Sequence, residues 1–240
     1  MAVYFFELVK NMRQHEIMKK YLIGICKGYS NSLVVCSPAG YGKTELTLST
    51  LKELGYEEGK NYRYYSNYLT PVECFLALEG INYLEEPKLA IFDDFEDSLT
   101  NPRIIGLLKG ALWSLPNGER RVMWNSGTYR IKEKQFNFTG RIIFLLNQIN
   151  KKSGIIRALI DRSLYFKLSL TTQEIKNLIR ERAELPYFST SYQQRLKVAE
   201  FLNKINNENL TLRTFPKVLN LMLLSPNHWQ TLASELLTRK

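Results

Sequence analysis

The feature that most constrains this chain is a glycine-rich turn between an apolar run and a segment with helical patterning. The apolar run covers 33–36, the turn reads Ser-Pro-Ala-Gly-Tyr-Gly-Lys-Thr over 37–44, and the helical pattern covers 45–54. A short apolar run before such a turn predicts a buried strand. Strand, turn and helix in this order are typical of an open α/β sheet. We therefore predict an α/β fold whose first strand leads directly into a helix N-terminus.

The turn has the composition of a phosphate-binding loop. Gly40 and Gly42 allow the backbone to curl so that N–H groups point at a polyphosphate, and the helix dipole adds to the attraction. Lys43 is expected to reach the β- and γ-phosphates of a nucleotide, and Thr44 to offer its hydroxyl to bound magnesium. Ser37 replaces the glycine that usually opens this motif, which is tolerable if Ser37 keeps a negative φ. The alternative is an ordinary strand-turn-helix connection. The predicted nucleotide-binding residues of the loop are Ser37, Pro38, Ala39, Gly40, Tyr41, Gly42, Lys43 and Thr44.

Two acids follow a second apolar run. Residues 88–92 lead into Asp93 and Asp94, which predicts a buried parallel strand with carboxylates at the end where open α/β sheets bind ligands. Asp93 is expected to hold magnesium through water, and Asp94 to orient and polarise an attacking water. The alternative, an acidic exit from a strand, draws support from the nearby Glu96 and Asp97. Loop and acids together predict ATP and Mg²⁺ as ligands and ATP hydrolysis as the reaction.

Strand-like and helix-like segments alternate up to residue 170, and only helices follow. The alternation predicts a parallel sheet with helices on both faces. A helix cap at 171–174 marks the start of the all-helical region. We therefore predict an α/β domain at 1–170 and a small helical domain at 171–240. The predicted strands lie at 33–36, 61–68, 88–94, 141–147 and 164–170. The predicted helices lie at 5–27, 45–54, 71–84, 102–115, 153–163, 172–184, 191–203, 212–223 and 226–237.

The charge balance predicts a polyanionic partner. The chain has 33 Lys and Arg against 23 Asp and Glu, a net charge of +10. Nucleic acid is the expected partner, and an anionic membrane surface is the alternative. No apolar stretch approaches the length that spans a bilayer, and the N-terminus lacks a signal pattern, so we expect no membrane partner. Cys26, Cys36 and Cys74 lack metal-like spacing, which predicts free thiols in the cytoplasm of a cell or infected host.

An α/β nucleotide-binding core followed by a helical region resembles the AAA+ ATPases, and the resemblance covers nearly the whole chain. It implies a P-loop AAA+ core, a small all-α lid domain, and an ATP site shared between subunits of a homo-oligomer, a ring or a filament. Asn147 is similar to sensor 1, which helps to hold the attacking water and the γ-phosphate. Arg162 resembles the arginine that clamp loaders present to the neighbouring subunit's ATP, with Arg157 as the alternative. Arg213 resembles sensor 2, which reports nucleotide state to the lid.

Two further features of the resemblance concern the acids. Asn67 resembles the polar switch that restrains the catalytic acid. The pair Asp93-Asp94 departs from the family's commoner Asp-Glu and is similar to the pair in bacterial replication initiators, which implies slow or DNA-stimulated hydrolysis. Each assignment has a plainer alternative. Asn147 and Asn67 would be turn residues, Arg162 would pair with Asp161, and Arg213 would lie on a solvated helix face.

The stretch 118–140 is longer than a helix-to-strand connection requires. Two β-prone arms around a basic tip predict a β-hairpin. Its place before Asn147 is similar to that of the hairpin with which viral and replicative AAA+ helicases grip DNA. The alternative is an irregular loop in which Phe136 and Phe138 pack on the sheet and the basic residues are merely solvated. The candidate DNA-binding residues are Tyr129, Arg130, Lys132 and Lys134.

Two classes of function follow. The first is a DNA-acting ATPase in replication initiation, helicase loading or DNA translocation and mobilisation, with a helicase, transposase or replication protein as a possible partner. The second is an AAA+ remodeller of a protein partner, which usually carries an aromatic pore loop with glycine after the second strand. Residues 68–71 are short and run directly into a predicted helix, so we favour DNA. A nucleotide switch without hydrolysis is a third reading.

Overall fold

The alternating segments form one five-stranded parallel sheet. The computed structural model describes residues 13–127, 130–149, 154–205 and 210–238. The strands stand in the order β2-β3-β6-β1-β7, so the first strand lies between the last two strands of the sheet in chain order. The predicted parallel α/β sheet is confirmed. Its strands are β1 Ser32–Cys36, β2 Tyr62–Ser66, β3 Leu89–Asp93, β6 Arg141–Leu146 and β7 Leu164–Lys167.

Burial follows position in the sheet. Every residue of β1 and β3 is buried, and so is all of β6 after Arg141, whereas the edge strands β2 and β7 are mostly half-buried or exposed. This pattern is expected for a sheet covered by helices on both faces, since only central strands lose water on both sides. The predicted strand 164–170 ends earlier, at Lys167.

In the described part of the chain, five helices accompany the sheet. A capping box begins α3, in which the Thr70 hydroxyl accepts from the backbone N–H of Glu73, and the Glu73 carboxylate accepts from the N–H and hydroxyl of Thr70. Pro71 occupies the first turn, where its missing N–H costs nothing. The part of the predicted helix 5–27 before residue 13 lies outside the described residues. The helices are α1 Gln14–Cys26, α2 Lys43–Glu53, α3 Pro71–Ile81, α4 Pro102–Leu112 and α5 Gly154–Ile160, with a 3₁₀ turn at Ser98–Thr100.

The predicted hairpin is present. Strand β4 (Arg121–Met123) pairs antiparallel with β5 (Gln135–Asn137). The hairpin is anchored by apolar side chains, because the Phe75 ring of α3 contacts the rings of Trp124 and Phe136, with centroids 5.8 and 5.1 Å apart. Phe138, which follows β5, is also buried. The aromatic packing proposed as the alternative to a hairpin therefore occurs together with it.

The remaining helices belong to a second compact unit. The chain divides into a first unit, which ends at Leu168 and omits 39–42, and a second unit of residues 39–42 and 169–240. Capping boxes at Thr171 and Ser191 begin the first two helices of the second unit. None of the helices in the described part of the chain is long and apolar enough to span a membrane. The helices of the second unit are α6 Thr172–Glu184, α7 Tyr192–Lys204, α8 Thr214–Leu224 and α9 Trp229–Thr238.

Candidate nucleotide-binding and catalytic site

Polar side chains predicted from three separate segments meet at one edge of the sheet. Register pairs Cys36 of β1 with Leu146 of β6, and Leu145 of β6 with Asp93 of β3. The central strands therefore end at nearly the same level. The residues that follow them meet at the carboxyl edge, where parallel sheets bind ligands.

The carboxylate of Asp93 lies at the start of helix α2. Its Oδ2 atom accepts hydrogen bonds from the Thr44 hydroxyl at 2.6 Å and from the Tyr64 hydroxyl at 2.7 Å. Asp93 is only 4% exposed, so the two donors stabilise a carboxylate that is largely removed from water. A hydroxyl oxygen beside a carboxylate is the donor set that Mg²⁺ takes together with nucleotide phosphates. Thr44 and Asp93 thus fit the magnesium position predicted for them.

A second chain of hydrogen bonds joins the other predicted residues. The Lys43 ammonium donates to Oδ1 of Asn147 at 2.6 Å, and the Asn147 amide nitrogen donates to Oδ1 of Asp94 at 2.5 Å. Lys43 is 5% exposed, whereas Asp94 is exposed. Asn147 therefore bridges the residue expected to bind phosphate and the residue expected to polarise water.

Asp94 has a left-handed backbone, with φ of 51°. This conformation is uncommon for a residue other than glycine and is often found at functional sites. It turns the chain sharply after β3, and the Asp94 N–H donates to the carbonyl of Leu145 at 3.1 Å. Asp93 is therefore buried while the adjacent Asp94 reaches solvent. Asn67, after β2, is also left-handed, with φ of 68°, and its N–H donates to the Asp93 carbonyl at 3.0 Å.

Sequence reasoning missed two residues of this site. Tyr64 lies on β2, and burial together with the hydrogen bond to Asp93 raises the pKa of its hydroxyl, so it remains a donor at neutral pH. The Glu96 carboxylate accepts from the backbone N–H of Asn147 and so fixes the end of β6. The aromatic run in β2 and the acids after Asp94 were visible in the sequence. Neither pattern indicated which side chain would reach the site.

The glycine-rich turn has the backbone expected of it. Gly40 and Gly42 have φ of 83° and 84°, a region that side chains other than glycine rarely adopt. Gly40 also belongs to the second unit, where its carbonyl accepts from the N–H of Leu212 at 2.9 Å. A Cβ atom on Gly40 would approach the Thr211 side chain to 2.9 Å. Arg213 is exposed and occupies the N-cap position of α8, directly after this contact, without a capping hydrogen bond from its side chain.

The two candidate arginines near α5 differ in environment. Arg162 is half-buried, donates from Nη1 to the Ala158 carbonyl at 2.6 Å, and lies over the Trp113 ring at 4.9 Å. Its Nε atom is buried without a hydrogen-bond partner among the described residues. Arg157 is exposed on α5, whereas Arg162 lies in the turn after this helix. Both arginines remain candidates for a contact with a neighbouring subunit.

The basic tip of the hairpin is open to solvent. Arg130, Lys132 and Lys134 are exposed, while Ile131 between them is buried. The pKa of Glu73 lies below its usual value, mainly because of its hydrogen bonds with Thr70 and to a smaller extent because of Arg130. Part of the Arg130 charge therefore acts on α3. Tyr129, the fourth predicted residue of the tip, lies outside the described residues.

Solved structures share this architecture. Three point mutants of RuvB from Thermotoga maritima superpose on the chain, each with a TM-score of 0.56. The sequence identities are 16, 15 and 15%, and the aligned region covers 94% of this chain and 71, 70 and 70% of theirs. The sequence matches no protein-family profile and no curated protein sequence.

The chain shares its fold with these RuvB structures. Its strand order, its phosphate-type loop after β1 and its helical C-terminal region agree with the resemblance inferred from the motifs. At this level of identity the superposition establishes the fold. The chemistry rests on the geometry of this chain's own residues.

Proposed function

We propose that the protein is a Mg²⁺-dependent ATPase that acts on DNA, in replication initiation, helicase loading or DNA translocation. The proposal depends on three hydrogen bonds of 2.5–2.6 Å at one edge of the sheet. They run from Thr44 to Asp93, from Lys43 to Asn147, and from Asn147 to Asp94. Five side chains from three segments of the chain meet there, which is difficult to explain as a structural turn.

The first role of the site is to bind phosphate. Lys43 already lies with its ammonium on an amide oxygen, a neutral partner that a negatively charged phosphate would replace with a stronger, charge-assisted bond. Thr44 and Asp93 would hold Mg²⁺, which neutralises charge on the phosphates as the bond to the γ-phosphate breaks. Tyr64 would still donate to Asp93 if the Thr44 hydroxyl served the metal.

The second role is to orient water. Asp94 is the exposed carboxylate of the site, and Asn147 holds one of its oxygens at 2.5 Å. The other oxygen is available to accept a proton from a water placed in line with the γ-phosphate. In phosphoryl transfer most of the rate acceleration comes from positioning and charge stabilisation. A carboxylate held by a sensor amide is therefore a sufficient catalytic group.

The proposed oligomer rests on two arginines at the end of α5. Arg157 lies on α5 and Arg162 follows the end of this helix by two residues, and the AAA+ resemblance places such an arginine on the ATP of a neighbouring subunit. We propose that the ATP site is completed by an arginine from a second copy in a ring or filament.

The proposed DNA partner rests on charge. The net charge is +10, and the tip of the hairpin presents Arg130, Lys132 and Lys134 to solvent. Such a basic surface attracts the phosphate backbone without regard to base sequence.

The experiment is ATP turnover with Mg²⁺, measured alone, with single-stranded DNA and with duplex DNA. We expect slow turnover alone and stimulation by at least one form of DNA. A matched variant with Arg130, Lys132 and Lys134 changed to Ala should keep basal turnover and lose most of the stimulation. An ATP turnover rate that DNA does not change would favour the alternative function, a remodeller of a protein partner. A protein that binds ATP without hydrolysing it under all three conditions would be a nucleotide switch.

A further inference from the structure

One face of helix α4 and the residue that ends it combine cations, glycines and an exposed tryptophan. Arg103, Gly106 and Gly110 follow one another at three- or four-residue spacing, which places them along one stripe of the helix. Trp113 is the C-cap of the helix and lines a cavity together with Gly110. Strand β4 of the hairpin runs beside this stripe. Two adjoining cavities of about 530 and 320 Å³ lie along it, and Arg121 lines both.

The glycines make this stripe a groove. A Cβ atom on Gly110 would lie 2.4 Å from the Arg121 carbonyl oxygen, so only glycine lets β4 lie this close to the helix. A Cβ atom on Gly106 would meet nothing within 4 Å. The groove therefore closes against β4 at Gly110 and opens toward solvent at Gly106. Met123, 50% exposed, forms part of its apolar wall.

The charged groups that line the groove are all cations. Arg103 and Arg121 line the first cavity, and Lys109, Arg121 and Arg162 the second, with no acid among the described lining residues. Arg121 is partly neutralised by Glu119 at 3.1 Å. Arg103 and Lys109 form no ion pair with any residue in the described ranges. A groove with this charge attracts a polyanion.

Trp113 adds an exposed aromatic ring to these cations. It is 55% exposed, whereas the other two tryptophans, Trp124 and Trp229, are 6% and 8% exposed. The Arg162 guanidinium covers the Trp113 ring at 4.9 Å, which fixes the ring orientation. An exposed aromatic ring beside cations is the arrangement on which bases of a single strand stack while its phosphates are neutralised.

We propose that this groove, lined by Arg103, Lys109, Trp113 and Arg121, binds single-stranded nucleic acid. From Arg103 to Trp113 the groove extends about 15 Å along the helix, a length suited to a few nucleotides of a single strand. The proposal deepens the proposed function and rests on it for DNA as the ligand. It names a strand contact separate from the hairpin tip.

Trp113 provides the test, because its fluorescence can report a base stacked on it. The full-length protein is titrated with a dT oligonucleotide of about 16 nucleotides, without ATP, at several salt concentrations. We expect saturable quenching in the wild type, and loss of that quenching in Trp113→Phe with little loss of affinity. Trp113→Ala should bind at least about fivefold more weakly, as the loss of one stacking contact predicts. Arg103→Ala combined with Lys109→Ala should flatten the salt dependence of log affinity by about 1.4, the value for two phosphate contacts on a single strand.

Three results would contradict the proposal that this groove binds single-stranded nucleic acid. They are an unchanged affinity in Trp113→Ala together with quenching that persists in Trp113→Phe, an unchanged salt slope in the double variant, and quenching by ATP but not by DNA that depends on protein concentration. The last would assign the groove to the ATP of a second subunit. The hairpin variant Lys132→Ala with Lys134→Ala is the matched control and should retain the Trp113 quenching. The two proposals fail separately. DNA binding through the groove without stimulated turnover would reject the proposed function. Stimulated turnover, together with wild-type DNA affinity in the groove variants, would reject binding in the groove.

Discussion

At the scale of single residues, the site separates two adjacent acids by burial. Asp93 is 4% exposed and accepts two hydroxyl donors, while Asp94 is exposed and left-handed. The left-handed turn at Asp94 makes this separation possible. If the strand continued in an extended conformation, the Asp94 side chain would point to the opposite face of the sheet. The turn instead brings it to solvent. One acid can therefore serve the metal and the other the water.

This separation predicts different losses for two substitutions. Lys43→Ala should abolish ATP binding, because it removes the ammonium that contacts phosphate. Asp94→Asn should keep ATP affinity within about twofold and lower kcat by at least about a hundredfold, because an amide still accepts from Asn147 but is no base. Equilibrium binding of a fluorescent ATP analogue and steady-state turnover measure the two effects. An equal loss of affinity in both variants would contradict the division of roles.

Tyr64 is expected to position Asp93. Tyr64→Phe removes the donor that remains when Thr44 turns to magnesium, so the Mg²⁺ concentration for half-maximal turnover should rise by about two- to tenfold, the value of one hydrogen bond. Tyr65→Phe is the matched control, since its hydroxyl contacts the Ala77 carbonyl, at 3.4 Å. A rise of the same size in both variants would indicate a general effect on β2.

At the scale of elements, the contact between α4 and β4 depends on Gly110. We expect Gly106→Ala to stabilise the protein by about 0.5–1 kcal/mol through helix propensity, because its Cβ meets no atom. Gly110→Ala gains the same propensity but should be destabilising by about 1–3 kcal/mol, since β4 must move away from the helix. Urea unfolding midpoints measure both. Equal stabilisation by both substitutions would show that the hairpin moves freely.

At the scale of the whole molecule, a shared ATP site predicts complementation. Arg162→Ala subunits should bind ATP and turn over poorly, and mixing them with Lys43→Ala subunits should restore part of the turnover, because the latter still present Arg162. Arg157→Ala is the matched control for the exposed arginine of α5. If only Arg157→Ala subunits turn over poorly and regain turnover on mixing with Lys43→Ala subunits, then Arg157, and not Arg162, contacts the ATP of the neighbouring subunit. A rate per subunit independent of protein concentration, with no rescue in any mixture, would place the whole site in one chain.

Stability of the whole molecule should fall at alkaline pH. Burial raises the pKa of the Cys74 thiol from 9.0 to about 12 and that of the Tyr56 hydroxyl from 10.0 to about 12. Below about pH 9 these groups are protonated in both states, so they add no pH dependence. Above it the unfolded chain ionises first, so the free energy of unfolding should fall between about pH 9 and 12.

Urea midpoints at a series of pH values measure this fall. Cys74→Val should weaken the pH dependence, because the fully buried titrating group is gone. A midpoint in the wild type that is the same at about pH 8 and pH 11 would exclude the contribution. Burial also raises the pKa values of Cys26, Tyr62, Tyr64 and Tyr65.

The sequence by itself determined the elements and the chemistry of the loop. Local patterns sufficed because they depend on near neighbours: apolar runs predicted the buried strands, Gly40 and Gly42 the left-handed turn, and Thr171 a helix cap. The tertiary structure decided what distant segments do together. Tyr64 lies 29 residues from Asp93, and Lys43 lies 104 residues from Asn147. Such contacts follow from strand order and register, which no local pattern encodes, and the same holds for the groove between α4 and β4.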